Sequence, residues 1–336
     1  MNRWYAGLLA GVVGWFGVTT VLQAEEPILI KFSHVVAVDT PKGKAAEKFR
    51  DLAAAYTQNR VKVEVYPNSQ LYKDKEELEA LQMGAVQMLA PSLAKFGPLG
   101  AKEFEAFDLP FLFKDYETLH KVTRGPVGAA MLQRLESKGI IGLAFWDNGF
   151  KQMSANKPLR NPEDLQGLKM RIQSSKVLDA QMRSMGAMPQ TLAFSEVYQA
   201  LQTGVVDGTE NPPSNFYTQK MYEVQKHMTL SNHGYLGYAV IVNKGFWEGL
   251  SSDLRQQLGK AMAEATLFAN QIAKQENDQA LEAVKASGKT EIIALTLEQK
   301  QAWLRKMAVV HGQMEERVGK ELLTSLYQAT GFDPKR

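Results

Sequence analysis

The stretch Gly167-Leu-Lys-Met-Arg-Ile-Gln-Ser-Ser175 (GLKMRIQSS) carries the first decision about the fold. Leu168, Met170 and Ile172 alternate with Lys169, Arg171 and Gln173, the period-two pattern of a half-buried strand. Ser174 or Ser175 is well placed to cap a helix, and "SKVLDAQMRSMG" (175–186) continues with helical periodicity. A strand that passes directly into a helix is the opening of a βαβ unit and predicts an α/β protein. It also raises a chemical question, because Arg171 stands in the middle of the strand.

Outward from this unit the same alternation recurs. Ahead of it, strands are expected at 28–34, 61–67, 86–92 and 139–149. Helices are expected at 41–59, with Pro41 in the first turn, and at 73–84, ending at Gly84. Strands separated by helices of this length imply right-handed crossovers and a parallel sheet. After it come a helix at 195–204, capped by Ser195 and ended by Gly204, and a short strand within "VVDGTENPPSN" (205–215) that runs into a proline-stopped loop. A buried strand follows at 234–244. From Ser251 to about Ala286 there is one proline-free helical pattern, ended by Gly288. At 1.5 Å per residue it would extend for about 50 Å, wider than one small domain. The segment 296–330 is helical again. Two α/β blocks without a Gly/Ser linker predict domains joined by several chain crossings, an arrangement that hinges.

"MNRWYAGLLAGVVGWFGVTTVLQA" (1–24) has Arg3 ahead of an apolar run and Ala24 before "EEP", the layout of a cleaved secretory signal peptide. An uncleaved anchor is the rival reading, although the run is near the lower limit of about 17 residues for a spanning helix. With no cysteine in 336 residues, an exported chain must rest on its core instead of disulfides. The remainder is long enough for two domains at roughly 100–200 residues each. Lys+Arg 39 against Asp+Glu 36 leaves no electrostatic footprint for nucleic acid.

No phosphate loop, dinucleotide fingerprint, zinc-protease helix or nucleophile elbow is present, so no cofactor, metal or catalytic constellation is implied. Among five histidines, none pair at ligand spacing. His34 and His233 stand at strand ends, where either a cleft-lining or a structural hydrogen-bonding role is open. What does cluster at strand ends is cationic and amide: Lys42, Ser92 and Lys95, then Asn148 and Lys151, then Arg171, Asn211 and Asn215. Ligands of open α/β sheets bind at the carboxyl ends of strands. Few carboxylates stand among these residues, so the set suits an anion. A guanidinium grips a carboxylate with two parallel charge-assisted hydrogen bonds, and Pro212 confines Asn211 to an extended conformation.

The run 165–244, with "SEVYQALQTGVVDGTENP" (195–212) at its heart, closely resembles the solute-binding proteins of TRAP transporters. "TPKG", "APSLAKFGPLG", "FWDNGFKQMSANKPL" and "SNHGYLGYAVIVNK" resemble the branch that binds C4-dicarboxylates such as succinate, malate and fumarate. The resemblance implies a two-domain periplasmic-binding-protein-like fold, each domain a mainly parallel sheet flanked by helices, with a long helix crossing both. Domain I would hold 25–148 plus about 236–275, and domain II 149–235 plus about 276–336. The family's carboxylate-clamping arginine falls on Arg171, and its asparagine before proline falls on Asn211. A second polar ligand group falls on Lys151. Lys42, Ser92 and Lys95 are the first domain's share, and Phe194 takes the place of the aromatic against the ligand's carbon chain. Asn148, Asn215 and His233 complete the expected set. The implied receptor is periplasmic, monomeric and non-catalytic, and it delivers its ligand to the small and large permease subunits. A receptor for a keto, sugar or aromatic acid, and an extracytoplasmic enzyme acting on a small acid, stay open as alternatives.

Overall fold

The computed structural model describes Met1 and residues 26–334. The expected signal peptide lies outside them apart from its first residue. Among the described residues nine strands form one sheet: β1 (Ile28–Ser33), β2 (Val61–Tyr66), β3 (Met88–Leu89), β4 (Ile140–Ala155), β5 (Lys169–Ile172), β6 (Met188–Thr191), β7 (Gly208–Asn211), β8 (His227–Asn243) and β9 (Glu291–Ala294). Their order is β2-β1-β3-β8-β4-β7-β5-β6, with β9 also paired to β8. β1, β2 and β3 are parallel, as are β5, β6 and β7. Between these groups, β4 and β8 run antiparallel to each other. At 16 and 17 residues, each extends for roughly 50 Å at 3.3 Å per residue. Both therefore pass through two lobes, one built on β1–β3 and the other on β5–β7 and β9.

Alternation along the long strands builds a core on each side of the sheet. Trp146, Tyr238, Val240 and Val242 pack with Phe32 and Phe49 on one face. Phe145, Ala239 and Ile241 meet Phe96, Phe104 and Phe107 on the other. The second lobe packs Met153, Met170 and Ile172 against Trp303 and Met307. A fourth cluster joins Val35 and Val36 of the first lobe to Phe194, Phe216 and Met228 of the second.

The long helix spans Ser252–Ser287, capped by Ser251 and closed by Gly288 at φ 64°. Its buried stripe includes Ala261, Ala265, Ala269 and Ala273, small side chains at helical spacing that allow close approach. It lies along Pro41–Tyr56 and β4 near its start and along Pro213–Thr218 near its end, so it braces both lobes.

Several local expectations change. The strand expected at 86–92 shrinks to a two-residue ladder, with Ser92 making an isolated bridge to Tyr238. The helix expected at 73–84 is only Glu77–Gln82. Ser195 caps nothing: it lies in the 3-10 turn Phe194–Glu196, and the helix begins at Val197. The diproline does not lead into a loop, because Pro213 starts helix Pro213–Thr218, where its fixed φ and missing N–H cost nothing. Finally β5 is not half-buried. Met170, Arg171 and Ile172 are all buried, since both sheet faces are covered.

Candidate functional site

The polar residues expected at strand ends converge where the two lobes meet over β4 and β8. Asn148 owes its position to a bulge: Asp147 pairs with Gly237 and Gly149 with Leu236, so Asn148 is the extra residue. Its Nδ2 donates to Asn215 Oδ1 at 3.0 Å and to Tyr238 Oη at 2.7 Å, and its Oδ1 accepts from Ser214 Oγ at 2.8 Å. Asn277 of the long helix locks the bulge by donating to the Asn148 carbonyl at 2.8 Å, while its Oδ1 accepts from Ser214 N. Gly149 is needed there, because a Cβ would lie 2.8 Å from Asn277 Nδ2.

Four buried cations surround this junction. Lys42, in the first turn of helix Pro41–Tyr56, donates to the Ala90 carbonyl at 2.9 Å and lies 3.8 Å from the Tyr238 ring centroid. Arg171 on β5 donates through Nε and Nη2 to the Leu192 carbonyl at 3.1 and 2.9 Å, with Phe194 beside it. Lys95 pairs with Asp74 and with Glu77 at 2.6 Å. Lys151 pairs with Glu210 at 2.8 Å and Asp108 at 3.5 Å. The scarcity of carboxylates expected from the sequence is thus overturned: Asp74, Glu77, Asp108 and Glu210 are all buried among the cations. Among the described residues, no ion pair engages Lys42 or Arg171. The guanidinium that carried the functional reading makes no direct ion pair with an internal acid, although it feels Asp74 and Glu210 through space.

Electrostatics divides the groups further. Burial opposes ionisation of Asp74, but Lys95 and Arg171 outweigh it and hold its pKa at about 2. Glu210 is likewise held at about 2, burial being outweighed by Lys151 and His233. Burial instead pushes Asp108 up to about 7 and raises Glu77. Lys42, with no acid in contact, is pulled down to about 7 by burial and then by Lys95.

Of the remaining expected residues, Ser92 caps the turn that carries Lys95, its Oγ accepting from Ala94 N. Asn211 neighbours Glu210 on β7, and its Nδ2 donates to Thr209 Oγ1 at 3.3 Å. His233 has both ring nitrogens engaged, one with Glu210 at 2.8 Å and one with Ser231 at 2.7 Å, so it orients the acid. His34 is fully buried with neither ring nitrogen partnered. Sequence reasoning missed Tyr238, hidden in an apolar strand, and the four acids. Asp74 and Glu77 sit in "KDKEELEA", which reads as a solvated helix face, whereas Glu210 next to Asn211 was the one positional hint.

Over the cluster, Asp74, Lys95 and Pro98 of the first lobe face Ser174 and Thr191 of the second across a pocket of about 660 Å3. The lobes also touch through Lys73–Glu196 at 2.9 Å and through Phe194 N donating to Asp74. Among the described residues no group of acids and histidines is arranged to hold a metal, and no helix is long and apolar enough to cross a membrane.

Comparison with known proteins agrees with this geometry. The family model described as "Bacterial extracellular solute-binding protein, family 7" matches residues 32–317. The C4-dicarboxylate-binding periplasmic protein DctP of Rhodobacter capsulatus is 65% identical over 98% of this chain and 99% of its own length. A TRAP periplasmic solute-binding protein from Shewanella oneidensis, solved with bound succinate, is 42% identical with TM-score 0.88, covering 90% of this chain and 99% of that one. Another from Pseudomonas aeruginosa, solved with L-malate, is 44% identical with TM-score 0.84 over 85% of this chain and 100% of that one. The chain belongs to family 7 of the bacterial extracellular solute-binding proteins, the solute receptors of TRAP transporters.

Proposed function

We propose that this chain is the periplasmic receptor for C4-dicarboxylates of a TRAP transporter, binding succinate, malate or fumarate between its lobes without chemical turnover. The observation that carries the reading is the presence of two buried cations, Arg171 and Lys42, with no ion pair among the described residues. An unpaired buried charge is costly, and a small dianion relieves two at once. Relatives that bind C4-dicarboxylates, succinate and L-malate support the same class.

In this reading Arg171 forks one carboxylate and Lys42 meets the other. Asn211, Asn215, Asn148 and Ser92 supply neutral hydrogen bonds, and Phe194 packs on the carbon chain. Residues 25–148 with about 236–275 move against 149–235 with about 276–336. The ligand touches both lobes only when they are closed, so it selects that form. The closed monomer, exported by removal of 1–24, docks on the membrane permease subunits and hands the ligand over. Calorimetry with succinate, malate and fumarate against monocarboxylates, sugar acids and aromatic acids tests the assignment. Tight binding confined to the dicarboxylates is expected, and preference for any other class, or product formation, would overturn it.

A further inference from the structure

The four cations of the cleft are of two kinds, and the difference lies in the acids beside them. Lys95 and Lys151 each carry two buried carboxylates, whereas Lys42 and Arg171 bond only to backbone carbonyls and lie against aromatic rings. Within each lysine's pair of acids the roles also split. Asp74 and Glu210 stay ionised, while Glu77 and Asp108 are pushed up by burial. Each lysine is therefore engaged by two buried acids, one of which is held firmly charged. Asp74 and Lys95 both line the pocket between the lobes, and Asp74 also accepts from Phe194 N on the opposite lobe. Asp74 is thus placed where it acts on a ligand's charge, and Glu210 acts through its ion pair with Lys151.

We propose that Asp74 and Glu210 are specificity-determining residues that act through Lys95 and Lys151, leaving only two cations free and so matching the cleft to a ligand with two negative charges. The inference rests on the dicarboxylate reading above and adds to it what limits the charge. Neither acid needs to touch the ligand. Each works by using up a lysine that would otherwise attract a further negative charge, and by repelling an excess anion across a low-dielectric space. An acidic residue in an anion site, which looks like a fault, then serves as the setting of its capacity.

The test measures two ligands of equal size and different charge, succinate and its mono-amide succinamate, by calorimetry. The unaltered receptor and the variants Asp74→Asn and Glu210→Gln are compared. Removing one internal negative charge leaves the lysine with a single acid, Glu77 or Asp108, and the dianion gains more from the added positive potential than the monoanion does. The ratio of the two dissociation constants should widen in favour of succinate by about tenfold or more, and Asp74→Glu should restore the original ratio. A merely structural role would weaken both ligands together and leave the ratio unchanged, which would overturn the proposal. The two variants lie on different lobes, so one decides if the other fails to fold. Failure of the unaltered receptor to prefer succinate over succinamate would instead strike the function proposed above, and is read separately.

Discussion

Arg171 shows what one side chain contributes and how its role can be measured. β5 holds it rigid, and the Leu192 carbonyl fixes two of its nitrogens, so the fork is aimed before any ligand arrives. Arg171→Lys keeps the charge but loses that geometry, and dicarboxylate affinity should fall by about 2–5 kcal/mol, read by calorimetry. Lys42 predicts a pH dependence. Its pKa is about 7 without ligand, and a bound dianion favours the charged form. Affinity should fall as pH rises above 7, by up to about tenfold per pH unit. The other groups facing Lys42 shape this little: His34 is neutral with pKa about 3, Tyr238 is neutral with pKa about 12, and Asp74 stays ionised. Lys95 and Glu77 are both raised. Asp108, at about 7, adds to the fall by gaining charge as pH rises. Lys42→Arg should remove Lys42's share, because arginine stays charged throughout. Titrations at several pH values check both statements.

At the scale of elements, the joint between β4, the long helix and Pro213–Thr218 holds the amides in place. Asn277 is its pin, with contacts to the Asn148 carbonyl, the Ala273 carbonyl and Ser214 N. Asn277→Ala leaves the buried Ser214 N–H and Asn148 carbonyl without this partner. It should cost about 1–3 kcal/mol in urea unfolding and weaken the ligand as well, since the Asn148 bulge is released. Much of this scale was legible beforehand. The long helix and its Gly288 stop follow from local periodicity and capping, and the structure has them where expected, with Ser251 as the cap instead of the first helical residue. Ser195 was misread because a 3-10 turn precedes that helix, and turn geometry there depends on the lobe contact made by the Phe194 backbone. β6 (MPQT) and β9 (EIIA) show no alternation of apolar and polar residues, so neither carries a period-two signal.

For the whole molecule, the relevant quantity is the balance between open and closed lobes. At the rim of the cleft, Lys73–Glu196 is half exposed, so solvent screening leaves it a weak link between the lobes. Glu196→Gln should therefore weaken dicarboxylate binding by less than about tenfold, whereas the ligand itself is the main clamp. Succinate at a hundred times its dissociation constant should stabilise the folded chain by about 2.7 kcal/mol. A raised melting temperature in a thermal scan would report it, and succinamate at the same concentration should raise it less. Small-angle scattering should show the radius of gyration falling as succinate is added, and no change would contradict closure.

By itself the sequence determined the α/β class, the bracing helix, the positions of Arg171 and Lys42, and the family, because these depend on periodicity, capping and contiguous motifs. Only the tertiary structure decided which charges are spent and which are free. Asp74 is 21 residues from Lys95, and Glu210 is 59 from Lys151. Acids on such distant segments look solvated until the fold buries them beside a lysine. Coulomb interactions act through space, and no reading along the chain can pair them.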